Sequence, residues 1–224
     1  MQITRLELKT SDLKEQALFY GETLGLDTRI IAGTQVLVRA GATELVFTQA
    51  DEGQHCQYHF AFDIPENQFE TAKQWLAMRA ELLANEDGET MFNSKTWNSQ
   101  SLYFKDSAEN ILELIARHDL KNASDEFKIL SVSEIGLATE DVLAFVKTLQ
   151  EKTGLLPYKD ESSDTFTAVG DTEGLFITVK QGRIWYPNTG VPAQFLPVRV
   201  NFQVDQIKMI LNGFPYQIDL QVSP

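Results

Sequence analysis

The chain repeats itself at a spacing of 129 residues, and this constrains its fold more than any single motif. The alternation Leu6-Glu7-Leu8-Lys9-Thr10 reads as a strand and runs into Ser11-Asp12, a helix start. The helix that follows carries Leu18, Phe19, Tyr20 and Leu24 and stops at Gly25. The same plan returns from Ile135: a strand, then Glu140-Asp141, then a helix carrying Leu143, Phe145, Val146 and Leu149 that stops at Gly154. Asp12 and Asp141, Gly25 and Gly154, Gly41 and Gly170, and Thr43 and Thr172 are all 129 positions apart. Four matches at one offset, joined by one periodicity, indicate a duplicated structural unit.

A further copy lies between these two. His59 to Ile64 reads as a strand, and Pro65-Glu66-Asn67 opens a helix through Phe69, Ala72, Trp75, Leu76 and Leu82. Asn85 to Gly88 is a turn. Ser101 to Phe104 and Ile111 to Ile115 are strands joined by the polar turn Asp106 to Asn110. A last, shortened copy has a strand at Val198 to Val204, a brief helix near Asp205 to Leu211, the turn Gly213-Phe214-Pro215 and a strand from Tyr216 to Val222. The units span about 1–50, 55–117, 128–182 and a stub from 195, with a polar linker over Asp119 to Asp125. The expected fold is α+β: tandem βαβββ units pairing into half-barrel cups, the last truncated. Pairing in chain order gives a first domain over 1–117 and a degenerate second over 128–224. One helix covers one face of each curved sheet, and the other faces a sister unit, leaving a concave ligand site.

Composition narrows the function. The formal net charge is −13, which repels nucleic-acid backbones and anionic lipid. It also slows anionic substrates unless a basic group sits in the pocket. No apolar run approaches a membrane span, and the first residues do not read as a signal peptide. Cys56 is the single cysteine, so neither an intrachain disulfide nor a thiolate zinc site can form, and a reducing cytoplasm is the expected home. Phosphate-binding loops, serine-hydrolase elbows and zinc-protease helices are absent.

The strongest local signal is Glu113, a carboxylate inside the apolar run Ile111 to Ile115, costly there unless paired or metal-bound. Glu44 stands similarly before Leu45-Val46-Phe47. Alternation places His59, Ala61 and Asp63 on one face, and Ile111, Glu113 and Ile115 likewise.

The segment Arg5 to Leu13, with Phe19-Tyr20 and Thr23 to Leu26, resembles the opening of vicinal oxygen chelate proteins. Tyr103 to Leu114 resembles their closing strand motif. That superfamily includes glyoxalase I, extradiol dioxygenases and bleomycin resistance proteins. The resemblance is clear over 1–117, weaker over 128–182 and poor beyond. It implies metal ligands on the first and last strands of each unit, here Arg5, Glu44, His59 and Glu113. Arg5 cannot ligate, having no lone pair to give.

Two readings follow. In one, His59, Glu113 and Glu44 hold a divalent metal, with Zn, Mn, Ni or Mg better suited than Fe, for a lyase, isomerase or dioxygenase acting on neighbouring oxygens. Glu113 or Glu44 then moves a proton. In the other no metal binds: Arg5 bridges Glu44 and Glu113, and the cup sequesters a small aromatic or anionic molecule. Arg5, Trp97 and Tyr103 are the expected substrate contacts. In the second pair Glu134, Arg199 and Asp219 offer no histidine, which suggests a structural half or an interface. A homodimer is an open possibility for the assembly. His55 and His118 read as surface residues and Cys56 as buried and inert, and Lys180 to Pro187 as a strand-to-loop cap or subunit contact.

Overall fold

The computed structural model describes residues 1–213 and 215–220, with the side chain of Asp160 excluded. The first unit comprises β1 (Gln2–Thr10), α1 (Leu13–Leu18), β2 (Asp27–Ile31), β3 (Gln35–Ala40) and β4 (Thr43–Gln49). The second comprises β5 (His59–Ile64), α2 (Phe69–Ala77), β6 (Phe92–Ser94), β7 (Ser99–Lys105) and β8 (Ile111–Arg117). The third has β9 (Ser131–Thr139), α3 (Val142–Thr153), β10 (Phe166–Asp171) and β11 (Gly174–Lys180), and the fourth β12 (Val198–Val204), β13 (Ile207–Gly213) and β14 (Gln217–Leu220).

The repeat is visible in the caps. Asp12 accepts from the amides of Lys14 and Glu15 at the start of α1, and Asp141 accepts from that of Ala144 at the start of α3. Gly25 and Gly154 end the two helical segments with φ of 69° and 75°, a left-handed turn that a side chain would disfavour. The first segment continues beyond α1 as a π-turn over Phe19–Thr23. α2 ends at Ala77, so Leu82 lies beyond the helix.

The fourth unit departs from expectation. Where a brief helix was expected near Asp205 to Leu211, Asp205 and Gln206 have φ of 46° and 73° and turn a hairpin directly from β12 into β13. Two successive left-handed residues match the twist of flanking strands, whereas a helix would break the pairing of Phe202 with Met209. The expected last strand is present from Gln217 to Leu220, and Phe214, Gln221 and Val222 lie outside the described residues.

Within the first two units the first strand pairs in parallel with the last, β1 with β4 and β5 with β8, which leaves the other edge of the first strand free. Those edges are closed out of chain order. β5 pairs antiparallel with β9, and β1 with β12. The result is two seven-stranded half-barrels, β14-β13-β12-β1-β4-β3-β2 and β10-β11-β9-β5-β8-β7-β6. The expected pairing of the first unit with the second, and of the third with the fourth, is therefore not how the strands join. Alternation specifies each unit, but it says nothing of which sister edge completes it.

One core lies between the sheets. It contains Leu6 and Leu8 of β1, Phe60 and Phe62 of β5, Leu149 of α3, and the edge-to-face pair Phe176 and Phe202, whose centroids are 5.1 Å apart. Ala42 N–H donates to Leu130 O at 2.8 Å, tying the second sheet to the first. A smaller apolar cluster, including Ile111, Ala138, Ile177 and Trp185, sits in the concave face of the second sheet. Among the described residues no helix is long and apolar enough to cross a membrane.

Candidate active site in the second half-barrel

The pairing of β5 with β9 decides which polar side chains meet. Ala61 stands opposite Glu134 across that ladder and beside Glu113 across the parallel one, so His59, Glu113 and Glu134 reach into one cup from three adjacent strands. One ligand atom from each lies within 4.8 Å of the others, and all three residues are buried. They belong to the lining of a cavity of about 360 Å³, together with Trp97, Tyr103, Phe166, Trp185 and Tyr186.

His59 is oriented by its backbone neighbour. Its Nδ1 lies 3.1 Å from Ile111 O, which can only accept, so Nδ1 carries the proton and Nε2 keeps a lone pair. That Nε2 is 3.9 Å from Glu113 Oε2. Burial, with a contribution from the charge of Arg183, lowers the imidazole pKa to about 4, so the ring is neutral at ordinary pH. Its ring centroid is 4.9 Å from that of Trp185.

The carboxylates are shifted the other way. Burial first, then the nearby Glu134, pushes Glu113 up to about 8, although Ser101 and Tyr103 hydrogen-bond it. Glu134 is raised by burial and held back by Arg117. Arg117 is fully buried. Its Nη2 donates a short hydrogen bond to Glu134 Oε1, and its Nε stands 3.3 Å from Asp63 Oδ1. That second contact is an ion pair out of line for a hydrogen bond, so Nε, Nη1 and Asp63 Oδ1 are left without hydrogen-bond partners among the described residues. Burial raises Asp63 to about 7 in spite of Arg117. Arg117 thus faces three buried carboxylic acids, those of Asp63, Glu113 and Glu134.

The cluster at 180–187 is a cap, one of its two expected roles. Trp185 descends over His59 and packs on Gly136, where a Cβ would come within 2.5 Å of the indole Cη2. Trp97 and Tyr103, expected as substrate contacts, both line the cavity. His55 and His118 are exposed and Cys56 is buried, as expected.

Arg5 and Glu44 are elsewhere. They lie on the first sheet, where Arg5 Nη1 donates to Glu44 at 2.8 Å and Arg5 Nε to Glu7 at 2.7 Å. Arg39 pairs with Glu44 at 3.0 Å. Arg5 therefore does bind Glu44, but not Glu113, because β1 and β8 belong to different sheets. Arg117 takes the bridging role expected of Arg5.

Sequence reasoning noted Glu134 but assigned it to an empty half, and it overlooked Arg117. Both carried a signal. Glu134 holds the place in β9 that His59 holds in β5, and Arg117 shares the strand face of Glu113 two positions on from Ile115.

No protein-family model matches the sequence, and no curated protein matches it. Solved structures do. Glyoxalase I from Zea mays is similar over 80% of this chain, with a TM-score of 0.51 and 13% identity, and the chain spans 66% of that protein. A candidate dioxygenase from Bacillus subtilis subsp. subtilis str. 168 is similar over 95% of this chain and 81% of its own, with a TM-score of 0.62 and 13% identity. At such identity the likeness is one of fold. The chain has the glyoxalase/dioxygenase fold, as its repeat and strand motifs led us to expect.

Proposed function

We propose that the second half-barrel holds a divalent metal through His59, Glu113 and Glu134 and acts as a lyase or isomerase on a small molecule with neighbouring oxygens. The observation that carries this reading is the convergence of three ligand atoms within 4.8 Å at the buried end of a cavity. The donor chemistry fits. His59 offers a lone pair fixed by its bond to Ile111, and each glutamate offers oxygens. Charge fits as well: with Asp63, Glu113 and Glu134 ionised, Arg117 supplies one positive charge against three negative ones, and a divalent ion restores neutrality.

When bound, such an ion supplies Lewis acidity that polarises a substrate carbonyl. The protein's own groups do the rest. Glu113 accepts or returns a proton at a carbon beside that carbonyl. Tyr103 and Ser101 steer its carboxyl group through hydrogen bonds. Arg117 holds Glu134 in place. The aromatic walls exclude water and seat an unsaturated substrate.

The test is metal stoichiometry in protein purified without chelator, with zinc titrated calorimetrically. Wild type should bind one ion per chain, and His59→Ala should lose it. Absence of metal in both overturns the reading. A second reading rests on full burial of Arg117 against Glu134: the cup binds its ligand without metal, with Arg117 and protons balancing the carboxylates. Stabilisation by a small molecule in chelator, with no response to zinc, would favour it.

A further inference from the structure

The mouth of the cavity carries a charge that the proposed chemistry does not use. Arg183 is the one lysine or arginine among the described lining residues. It is exposed, and no described carboxylate stands within ion-pair distance of its guanidinium. The side chain is nevertheless held: its Cζ lies 5.2 Å from the centre of the Phe166 ring, and its backbone N–H donates to Lys180 O at 3.1 Å. Arg5, Arg39, Arg117 and Lys159, by contrast, all have acidic partners within 4 Å.

The surroundings say what this cation can meet. Phe92, Tyr103 and Tyr186 pack edge to face, with centroids 5.0 to 5.4 Å apart, and Trp97 and Phe166 continue the wall. Acidic groups lie at the floor and the basic group lies at the rim, so the cavity is electrically polar along its depth. On a chain of net charge −13, an anion finds little attraction elsewhere.

We propose that the ligand of this cavity is a flat aromatic molecule bearing a carboxylate, and that Arg183 is the specificity-determining residue that selects the anion. The inference deepens the proposed function and rests on the same cavity, but its anion site uses an exposed residue outside the set of metal ligands. The flat body lies along the aromatic wall, the carboxylate turns outward to the guanidinium, and the reacting oxygens point inward to Glu113. Arg suits the role better than Lys, since its fork can accept both carboxylate oxygens while its plane stays on Phe166.

The probes are 2-naphthoate and 2-naphthamide, alike in shape and different in charge. Their affinities are measured calorimetrically on the full chain, in chelator and with one equivalent of zinc. Wild type should prefer the acid by about tenfold in both conditions, the scale of one charge-assisted hydrogen-bonded pair. Arg183→Gln should abolish the preference while binding of the amide stays unchanged, and Arg183→Lys should keep part of it. A preference that survives Arg183→Gln, or that appears only with zinc, places the carboxylate on the floor and overturns the inference. So does failure of both probes to bind. Loss of zinc binding with the preference intact would instead refute the metal reading and leave this one standing.

Discussion

Replacing Arg117 by Met tests the electrostatics of the cup directly. Met keeps the apolar stem of the side chain and carries no charge, so the packing of the stem is kept while Glu134 and Asp63 lose their shared cation. Arg117 is wholly buried and both partners are nearly so. Removing one side of a buried ion pair costs about 3–5 kcal/mol, and with two carboxylates orphaned the upper part of that range applies. For a chain of this size that lowers the melting temperature by roughly 8–20 °C. The sign with pH follows from the carboxylates. Without the guanidinium their folded pKa values climb further above the unfolded ones. Such groups contribute stability that is intact below the unfolded value and disappears as pH rises through the folded one. The deficit should therefore be largest above pH 8 and shrink toward pH 4. Urea denaturation in chelator at several pH values, with the slope checked for constancy, reads this out. A deficit under about 1 kcal/mol at pH 8, or one that stays flat into acid, would refute the account of Arg117 as the counter-charge.

Other consequences can be measured on the same preparation. Glu113 is raised from 4.5 to about 8, so metal-free wild type should lose stability as pH climbs through that window. Glu113→Gln should match wild type near pH 4 and exceed it by up to about 5 kcal/mol at pH 9, and parallel pH profiles would contradict the shift. Gly136→Ala places a Cβ 2.5 Å from Trp185 Cη2 and 2.9 Å from Cζ2, so the indole must move. We expect a loss of about 1–3 kcal/mol and a red-shifted tryptophan emission, and an unchanged spectrum would mean that Trp185 is not seated there.

The units themselves were legible because each carries its own punctuation. Asp12 and Asp141 cap helices, Gly25 and Gly154 end them, and the apolar alternation of Leu6 and Leu8 marks a buried strand face. The site was half legible. Glu113 announced itself by interrupting an apolar strand, and His59 by its place on β5. Glu134 follows Ser133 and interrupts no apolar run, and its partner could be known only once the β5–β9 ladder was known. Hydrogen bonds between edge strands are made by backbone atoms common to all residues, so the sequence holds little record of them. Arg5 illustrates the cost: its expected bond to Glu44 exists, but on the other sheet, out of reach of Glu113. The missed helix in the fourth unit has a different cause. Asp205 suits the first left-handed position, but Gln206 stands where a glycine is usual, so the hairpin left no glycine to betray it.

Out-of-order pairing has a consequence for biosynthesis. Every strand of the cavity-bearing sheet lies between His59 and Lys180, so a nascent polypeptide can assemble that sheet as soon as those residues emerge. The opening strand cannot finish its own sheet until Val200 arrives to meet Leu6. Throughout that wait it exposes an open edge. Its charged outward residues, Arg5, Glu7 and Lys9, are the kind that discourage neighbouring ribosomal products from docking onto it.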